Sequence, residues 1–204
     1  MNKKSDIKII IKFVIIGIAL FGFIGYKVKN DFFTDDETHK KLLSLDLYGY
    51  TLSKSDTDLY KDNFKALEAI LNEKPINYSD YAKQVSKLFI IDVFTLTNKV
   101  SSTDIGGLEF LHKKLKENFK ENMGATLYKN VEVNLDGNRT QELPEVSKIE
   151  ATEITETKFT YGEVEYDAYL VTLNWEYKKD LGYAKSMKLT LIKDSDKLYV
   201  VKGE

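Results

Sequence analysis

The 204-residue sequence has no cysteine, two prolines and a single arginine, Arg139. The absence of cysteine excludes disulfides, thiolate metal sites, a cysteine nucleophile and lipid attachment through an N-terminal cysteine. One arginine leaves almost no capacity for bidentate guanidinium contacts with phosphate or carboxylate groups. The formal net charge is only −2, which does not indicate a nucleic-acid-binding protein.

The composition is that of a folded protein with one domain of ordinary size and short accessory segments. Hydrophobic residues make up 43% of the chain and charged residues 30%. This mixture supports a hydrophobic core beneath a well-solvated surface and argues against global disorder.

The longest apolar stretch lies near the N-terminus and predicts an uncleaved transmembrane helix at 7–26. Residues 13–26 carry no charge, and a helix from 9 to 26 would be roughly 27 Å long, close to the thickness of the hydrocarbon core. A cleaved signal peptide is the alternative, but a large residue stands where a small one is needed for cleavage. A buried helix of the soluble domain is a second alternative, disfavoured by the polar continuation. The predicted anchor residues are Phe13, Ile16, Leu20, Phe23 and Tyr26.

The lysines around this stretch predict an N-terminus inside the cell and a domain outside it. Four lysines precede the uncharged residues 13–26 and four follow them, but the first four are crowded into a very short tail, where the positive-inside rule has most weight. We therefore expect a single-pass protein of the cell membrane. Its predicted parts are a cytoplasmic tail and anchor (1–29), a tether (30–52) and an extracytoplasmic domain (53–204).

Hydrophobic periodicity predicts three helices and then strands. Ser53 or Ser55 can cap a first helix, and Asn77 or Ser79 a second, mostly buried helix. A third helix is expected after the glycine pair at 106–107, because apolar residues recur at helical spacing from Leu108 to Leu127. From 128 onward the period becomes 2, with strands expected at 131–135, at 146–161 with a bulge, at 163–177, after the turn at 180–182, and at 197–202. The predicted fold class is α+β, with helices packed on a curved antiparallel sheet.

The order of three helices and a long meander behind one span resembles the nuclear-transport-factor-2-like (cystatin-like) roll. That roll recurs in single-pass assembly subunits of type IV secretion and conjugation machines. The segments KLFIIDVFTLTNKVSSTDIGG (87–107), QELPEV (141–146) and WEYKKDLGY (175–183) are also similar to a group of anchored Gram-positive envelope proteins without an assigned activity. The resemblance covers most of 45–203 and implies a fold and a location, but no catalytic residue.

Catalytic and metal-binding signatures are absent from the sequence. There is no H-E-x-x-H, G-x-S-x-G or P-loop motif, and we expect neither a metal nor a cofactor. His39 and His112 lack ligand spacing and are both expected on the solvated surface. Gly106 and Gly107 could meet an anion at a helix N-terminus, but a plain turn is the stronger interpretation.

Asp92 is the most informative single position, because it interrupts the apolar run FIIDVF. A charge there is costly unless it is paired or at a wet edge. Its carboxylate would mark a ligand site in the concave pocket of such a roll, or a hydrogen-bonded structural group. Tyr169, Trp175 and Tyr177 share one face of a strand and would either line that pocket or pack in the core.

These observations predict a membrane-anchored, non-enzymatic domain that binds other envelope proteins. Binding to further copies of itself, as a homo-oligomer, is one form of this prediction. An assembly subunit of a conjugation or secretion complex is the specific form of this hypothesis. A small-ligand binding module is the first alternative, and an enzyme using Asp92 as a base is the second.

Overall fold

The computed structural model describes residues 41–204, so the predicted anchor at 7–26 and His39 lie outside the described residues. Within 41–204, no helix has both the length and the apolar character needed to cross a bilayer. Two 3-10 helices, Leu108–Phe110 and Lys113–Leu115, accompany the regular elements. Those elements are β1 (Lys41–Leu45), β2 (Tyr50–Ser53), α1 (Asp58–Asn72), α2 (Tyr78–Phe94), α3 (Lys116–Ala125), β3 (Val146–Tyr161), β4 (Val164–Tyr177), β5 (Ser186–Asp194) and β6 (Lys197–Gly203).

The predicted α+β class is confirmed by a curved, four-stranded antiparallel sheet accompanied by helices. Its strand order, β3-β4-β5-β6, is that of a simple meander. The central helix α2 contacts α1, β3, β4 and β6, and its run from Leu88 to Ile91 is buried on all sides. One core cluster joins α1 and α2 to the inward side chains of the strands, including Val171, Leu173, Leu189, Leu191 and Val200.

The first two helices begin at residues whose side chains accept backbone N–H groups. The predicted serine cap of α1 is wrong, because Thr57 accepts the Tyr60 N–H at 3.3 Å. Ser53 instead belongs to β2, where its own N–H donates to Asp56 at 2.6 Å. Asn77, one of the two predicted caps of α2, accepts two N–H groups at 3.1 Å.

The third predicted helix is much shorter than its apolar stripe. The chain from 108 to 115 forms the two 3-10 helices, and Leu111 between them makes a parallel bridge with Val200 of β6. Only Lys116–Ala125 is α-helical, and none of its residues is buried. The stripe is interrupted because pairing with the edge of β6 requires extended backbone at Leu111.

The strand predicted at 131–135 is also wrong. Val131 is buried, but this segment forms no strand, and Val133 and Leu135 are 66% and 67% exposed. Arg139 holds the loop by donating to the carbonyl oxygens of Leu96, Thr97, Lys99 and Glu132 at 2.8–3.3 Å. One of these contacts satisfies the Glu132 carbonyl group, which a strand would have placed in a ladder.

The predicted bulge in β3 is confirmed, with register shifts between Val146 and Lys148 and between Ala151 and Glu153. A structured hairpin, β1–β2, occupies residues 41–53, so the predicted tether at 30–52 includes part of the folded unit. Tyr50 of β2 is fully buried, and its hydroxyl lies 2.7 Å from the Tyr81 hydroxyl of α2.

Candidate functional site

An apolar pocket of about 300 Å³ opens between α2, α3 and the adjoining ends of β5 and β6. Its volume lies at the lower end of the range of small-molecule pockets. The apolar lining comes from both helices, the 3-10 segment and the sheet, and comprises Phe89, Val93, Phe94, Leu111, Leu115, Phe119, Met123, Met187, Val200 and Val201.

The pocket is present because few side chains of α3 pack against the rest of the domain. Only Phe119 and Met123 of this helix reach the core, and both remain half-buried. The Phe119 ring lies 5.8 Å from the Phe89 ring of α2, and this is the aromatic contact between the two helices. A helix with so few packed side chains leaves unfilled apolar volume beneath it.

Both methionines other than Met1 line this pocket, Met123 from α3 and Met187 from β5. The unbranched, polarizable thioether adapts to irregular apolar shapes, and methionine is common at surfaces that bind varied apolar groups. The polar lining consists of Asn118, Asn122 and Lys202, and the Lys202 ammonium is paired with Glu204 at 2.6 Å. The arrangement suits an apolar molecule with a small polar end.

Asp92 does not line this pocket. One of its carboxylate oxygens lies 2.5 Å from Nζ of Lys99, and the other accepts the Gly107 N–H at 2.6 Å. Burial alone would lower the pKa of Lys99, but the charge and hydrogen bond of Asp92, together with Tyr128 and Asp104, outweigh burial and hold that pKa above its ordinary value. Both oxygens are therefore engaged with groups of the protein.

The glycine pair at 106–107 brings the chain against α2 at this carboxylate. A Cβ on Gly106 would lie 2.2 Å from the Asp92 carbonyl oxygen, and one on Gly107 would lie 2.5 Å from Val93 Cγ2. Gly107 also has a φ of +80°, which side chains disfavour. The negative charge at this glycine turn is therefore the carboxylate of Asp92 in the same chain.

The three aromatic residues singled out in β4 face the helices rather than an open cavity. Tyr169 and Trp175 are buried and Tyr177 is half-buried, and none of them lines the apolar pocket. Trp175 packs against Phe94 with ring centroids 5.0 Å apart. These side chains contribute core packing to the sheet–helix interface.

Glu109 is a titratable group that the sequence did not single out. It follows Leu108 in the first 3-10 helix and accepts the Thr51 N–H, the Thr51 hydroxyl at 2.8 Å and the Tyr60 hydroxyl at 3.2 Å. Burial raises the pKa of Glu109 to about 7, although the Thr51 hydrogen bonds oppose this shift. The carboxyl group fastens β2 to the rest of the domain.

Lys197, the first residue of β6, is a second such group and also contacts the β1–β2 hairpin. Its ammonium donates to the carbonyl oxygens of Tyr48 and Glu109, and it lies 4.4 Å from the centre of the Tyr50 ring. Burial lowers the pKa of Lys197 to about 8, although Glu109 opposes this shift. Neither Glu109 nor Lys197 lines the apolar pocket.

The predicted solvent exposure of His112 is wrong. Its ring is buried between Tyr161 and Tyr199, with centroids 5.0 and 5.5 Å away, on the sheet face opposite the main core. Burial lowers its pKa, while Asp194 acts in the opposite direction. The bridge between Leu111 and Val200 places the next residue there, a long-range pairing that no local pattern reveals.

Comparison with known protein families, with curated proteins and with solved structures finds no match to this chain. Among residues 41–204, no three His, Asp or Glu side chains are grouped to hold a metal ion.

Proposed function

We propose that this chain is a single-pass envelope protein whose extracytoplasmic domain, a nuclear-transport-factor-2-like roll, binds a small apolar ligand. The uncharged stretch at 13–26 supports the anchor. Helical segments followed by an antiparallel meander support the roll.

The observation that carries ligand binding is the apolar pocket between α2, α3 and the sheet. Its walls include the two methionines and a helix without a buried residue, so the site can adjust to an occupant. The lining offers many apolar contacts and few polar ones, which favours affinity for hydrocarbon or aromatic groups. The Asp92 carboxylate lies outside this pocket, and Lys99 and Gly107 occupy both of its oxygens.

A pocket-filling variant tests this function. We would titrate the full-length chain in detergent with 5-fluoroindole and follow the ligand by ¹⁹F NMR. Met123→Trp fills the pocket from α3, and Lys120→Trp adds the same ring to an exposed position of the same helix. We expect saturable binding by the wild type and by Lys120→Trp, and at least tenfold weaker binding by Met123→Trp. Equal titration of all three proteins would refute ligand binding in this pocket.

An assembly domain that binds other envelope proteins is the second candidate, and the loop after α3 favours it. Val133 and Leu135 are largely exposed, yet Arg139 fixes the loop that presents them. Exposed apolar side chains on an ordered loop are typical of protein-binding surfaces. A conjugation or secretion complex is the specific setting that the resemblance suggests.

Crosslinking in cells tests the second candidate. A photoreactive phenylalanine analogue at Val133 or Leu135 should capture a membrane partner, whereas the same residue at the exposed Lys129 should capture much less. Equal capture at all three positions, or none, would remove the support for assembly through this loop.

A further inference from the structure

The longest strand of the sheet, β3, is an edge strand. It spans Val146–Tyr161, and its only strand partner among residues 41–204 is β4. The two register shifts both fall before Glu153, and pairing from Glu153 to Tyr161 is unbroken. The second half of β3 therefore presents a regular backbone edge.

The hairpin turn establishes which backbone groups point away from β4. A two-residue turn at Gly162 and Glu163 joins β3 to β4, so the closing pair, Tyr161 and Val164, is hydrogen-bonded. Hydrogen-bonded pairs alternate with non-hydrogen-bonded pairs along an antiparallel ladder. The outward N–H and C=O groups are consequently those of Ile154, Glu156, Lys158 and Thr160.

This edge is also accessible, because the hairpin continues past the end of the pairing between β4 and β5, while the Tyr161 ring at its tip packs against His112. The strand β5 pairs with β4 only from Ala168 to Asn174, so the segment 158–167 forms a two-stranded arm. Lys158 and Thr160 on this arm are exposed, as is Thr157 at its base. An added strand would thus find the outer edge open.

The charge of the β3–β4 hairpin determines which kind of strand can pair with its outer edge. Its two lysines, Lys148 and Lys158, are paired with Glu176 and Asp167. Five further acidic side chains make no ion pair within 41–204, and these are Glu150, Glu153, Glu156, Glu163 and Glu165. A second copy of β3 would bring like charges together, which is unfavourable, whereas lysine or arginine side chains would find partners.

We propose that the outer edge of β3 binds an extended, positively charged segment of another protein, which adds as a fifth strand to the sheet. The main chain would supply the affinity through the outward groups of β3, and the acidic side chains would supply the charge preference. This proposal rests on the second candidate function, a domain that binds other envelope proteins, and names the kind of partner. Because it uses a surface distinct from the Val133–Leu135 loop, each can fail without the other.

A proline substitution separates strand addition from simple charge attraction. Thr160→Pro removes an outward N–H group but no hydrogen bond to β4, so the fold should tolerate it, and Thr160→Ala controls for the lost side chain. The probes are a fluorescent decapeptide that alternates lysine with threonine and a matched glutamate–threonine peptide. Binding to the full-length chain in detergent would be followed by fluorescence polarisation, with thermal unfolding as the folding control.

We expect the lysine peptide to bind the wild type and Thr160→Ala, and to bind Thr160→Pro at least tenfold more weakly at an unchanged unfolding midpoint. A Glu150→Lys/Glu153→Lys variant, which leaves the backbone intact, should instead prefer the glutamate peptide. Undiminished binding to a folded Thr160→Pro protein, no binding to the wild type, or no change of preference after charge reversal would overturn the proposal. Self-association lost in Thr160→Pro would also overturn it, because a second copy would then occupy the edge.

Discussion

The Asp92 carboxylate accepts the Gly107 N–H at 2.6 Å and joins the last turns of α2 to the start of the first 3-10 helix. The same carboxylate is ion-paired with Lys99, whose side chain is only 5% exposed. A charge that interrupts an apolar helix thus stabilises the path of the chain after that helix.

Replacing Asp92 by Asn should destabilise the domain by roughly 3 kcal/mol, because it leaves the Lys99 ammonium buried without a counter-charge. The double variant Asp92→Asn/Lys99→Met should recover part of this loss, since no unpaired charge remains. The measurement is the free energy of unfolding in urea. Surface substitutions usually change the free energy of unfolding by less than about 0.5 kcal/mol. A change that small in Asp92→Asn would contradict the role of the pair.

Gly107→Ala should destabilise the domain by more than about 2 kcal/mol, because backbone strain adds to a clash with Val93. Gly137→Ala is the matched control. Its φ is +71°, but no atom lies within 4 Å of the added Cβ, so only the strain of roughly 1 kcal/mol should appear. Equal losses in the two variants would show that the contact with α2 is unimportant.

The raised pKa of Glu109 predicts that stability falls as the pH rises from about 4.5 to about 7. Over this range the folded protein binds more protons than the unfolded chain, so each increase in pH favours unfolding, with a total of roughly 2 kcal/mol. Glu109→Gln should remove this slope. Glu117→Gln, at an exposed position of α3, should retain it. Unfolding in urea at pH 5 and pH 8 measures the difference, and an unchanged slope in Glu109→Gln would count against the assignment.

His112 should have the opposite pH dependence. Its pKa is lowered in the folded protein, so the unfolded chain binds more protons below pH 6.5 and stability decreases on acidification. His112→Phe keeps an aromatic ring between Tyr161 and Tyr199 and should lose less stability between pH 7 and pH 5 than the wild type. The same acid-induced loss in both proteins would exclude His112 as its source.

Arg139→Lys should loosen the loop that carries Val133 and Leu135, because an ammonium cannot reproduce the guanidinium contacts to four carbonyl groups. We expect faster proteolysis within 129–143 and faster exchange of the Asn134 amide, which donates to Val100. Lys185→Met, which removes an exposed ion pair with Asp180, should leave both rates unchanged. Equal protection in the wild type and Arg139→Lys would show that the loop is held by other contacts.

The parts of the fold that could be predicted are those in which local periodicity and burial agree. The stripe of Tyr60, Phe64 and Leu67 identified α1, and the alternation from Tyr169 to Trp175 identified β4, because each face packs against one continuous core. The first half of the predicted third helix is wrong although its spacing was regular. Leu111 pairs with Val200, nearly ninety positions away, and such a contact leaves no local signal.

The candidate site was predictable only in its residue types. Leu111, Leu115, Phe119 and Met123 were recognised as an apolar stripe, but the sequence could not show that this stripe borders an unfilled pocket. The packing density at this pocket depends on how closely α3 lies against β5 and β6. The position of α3 in turn depends on the whole domain. The burial of Glu109 and His112 could not be predicted from the sequence either, because it depends on neighbours from distant segments.

The hairpin β1–β2 stands at the start of the described residues and is fastened at three points, by Tyr50 to Tyr81, by Thr51 to Glu109 and by Lys197 to Tyr48. Tension applied to the chain ahead of residue 41 would therefore be carried directly into α2 and β6. Any mechanical load at that end would have to shear these contacts before the hairpin could extend.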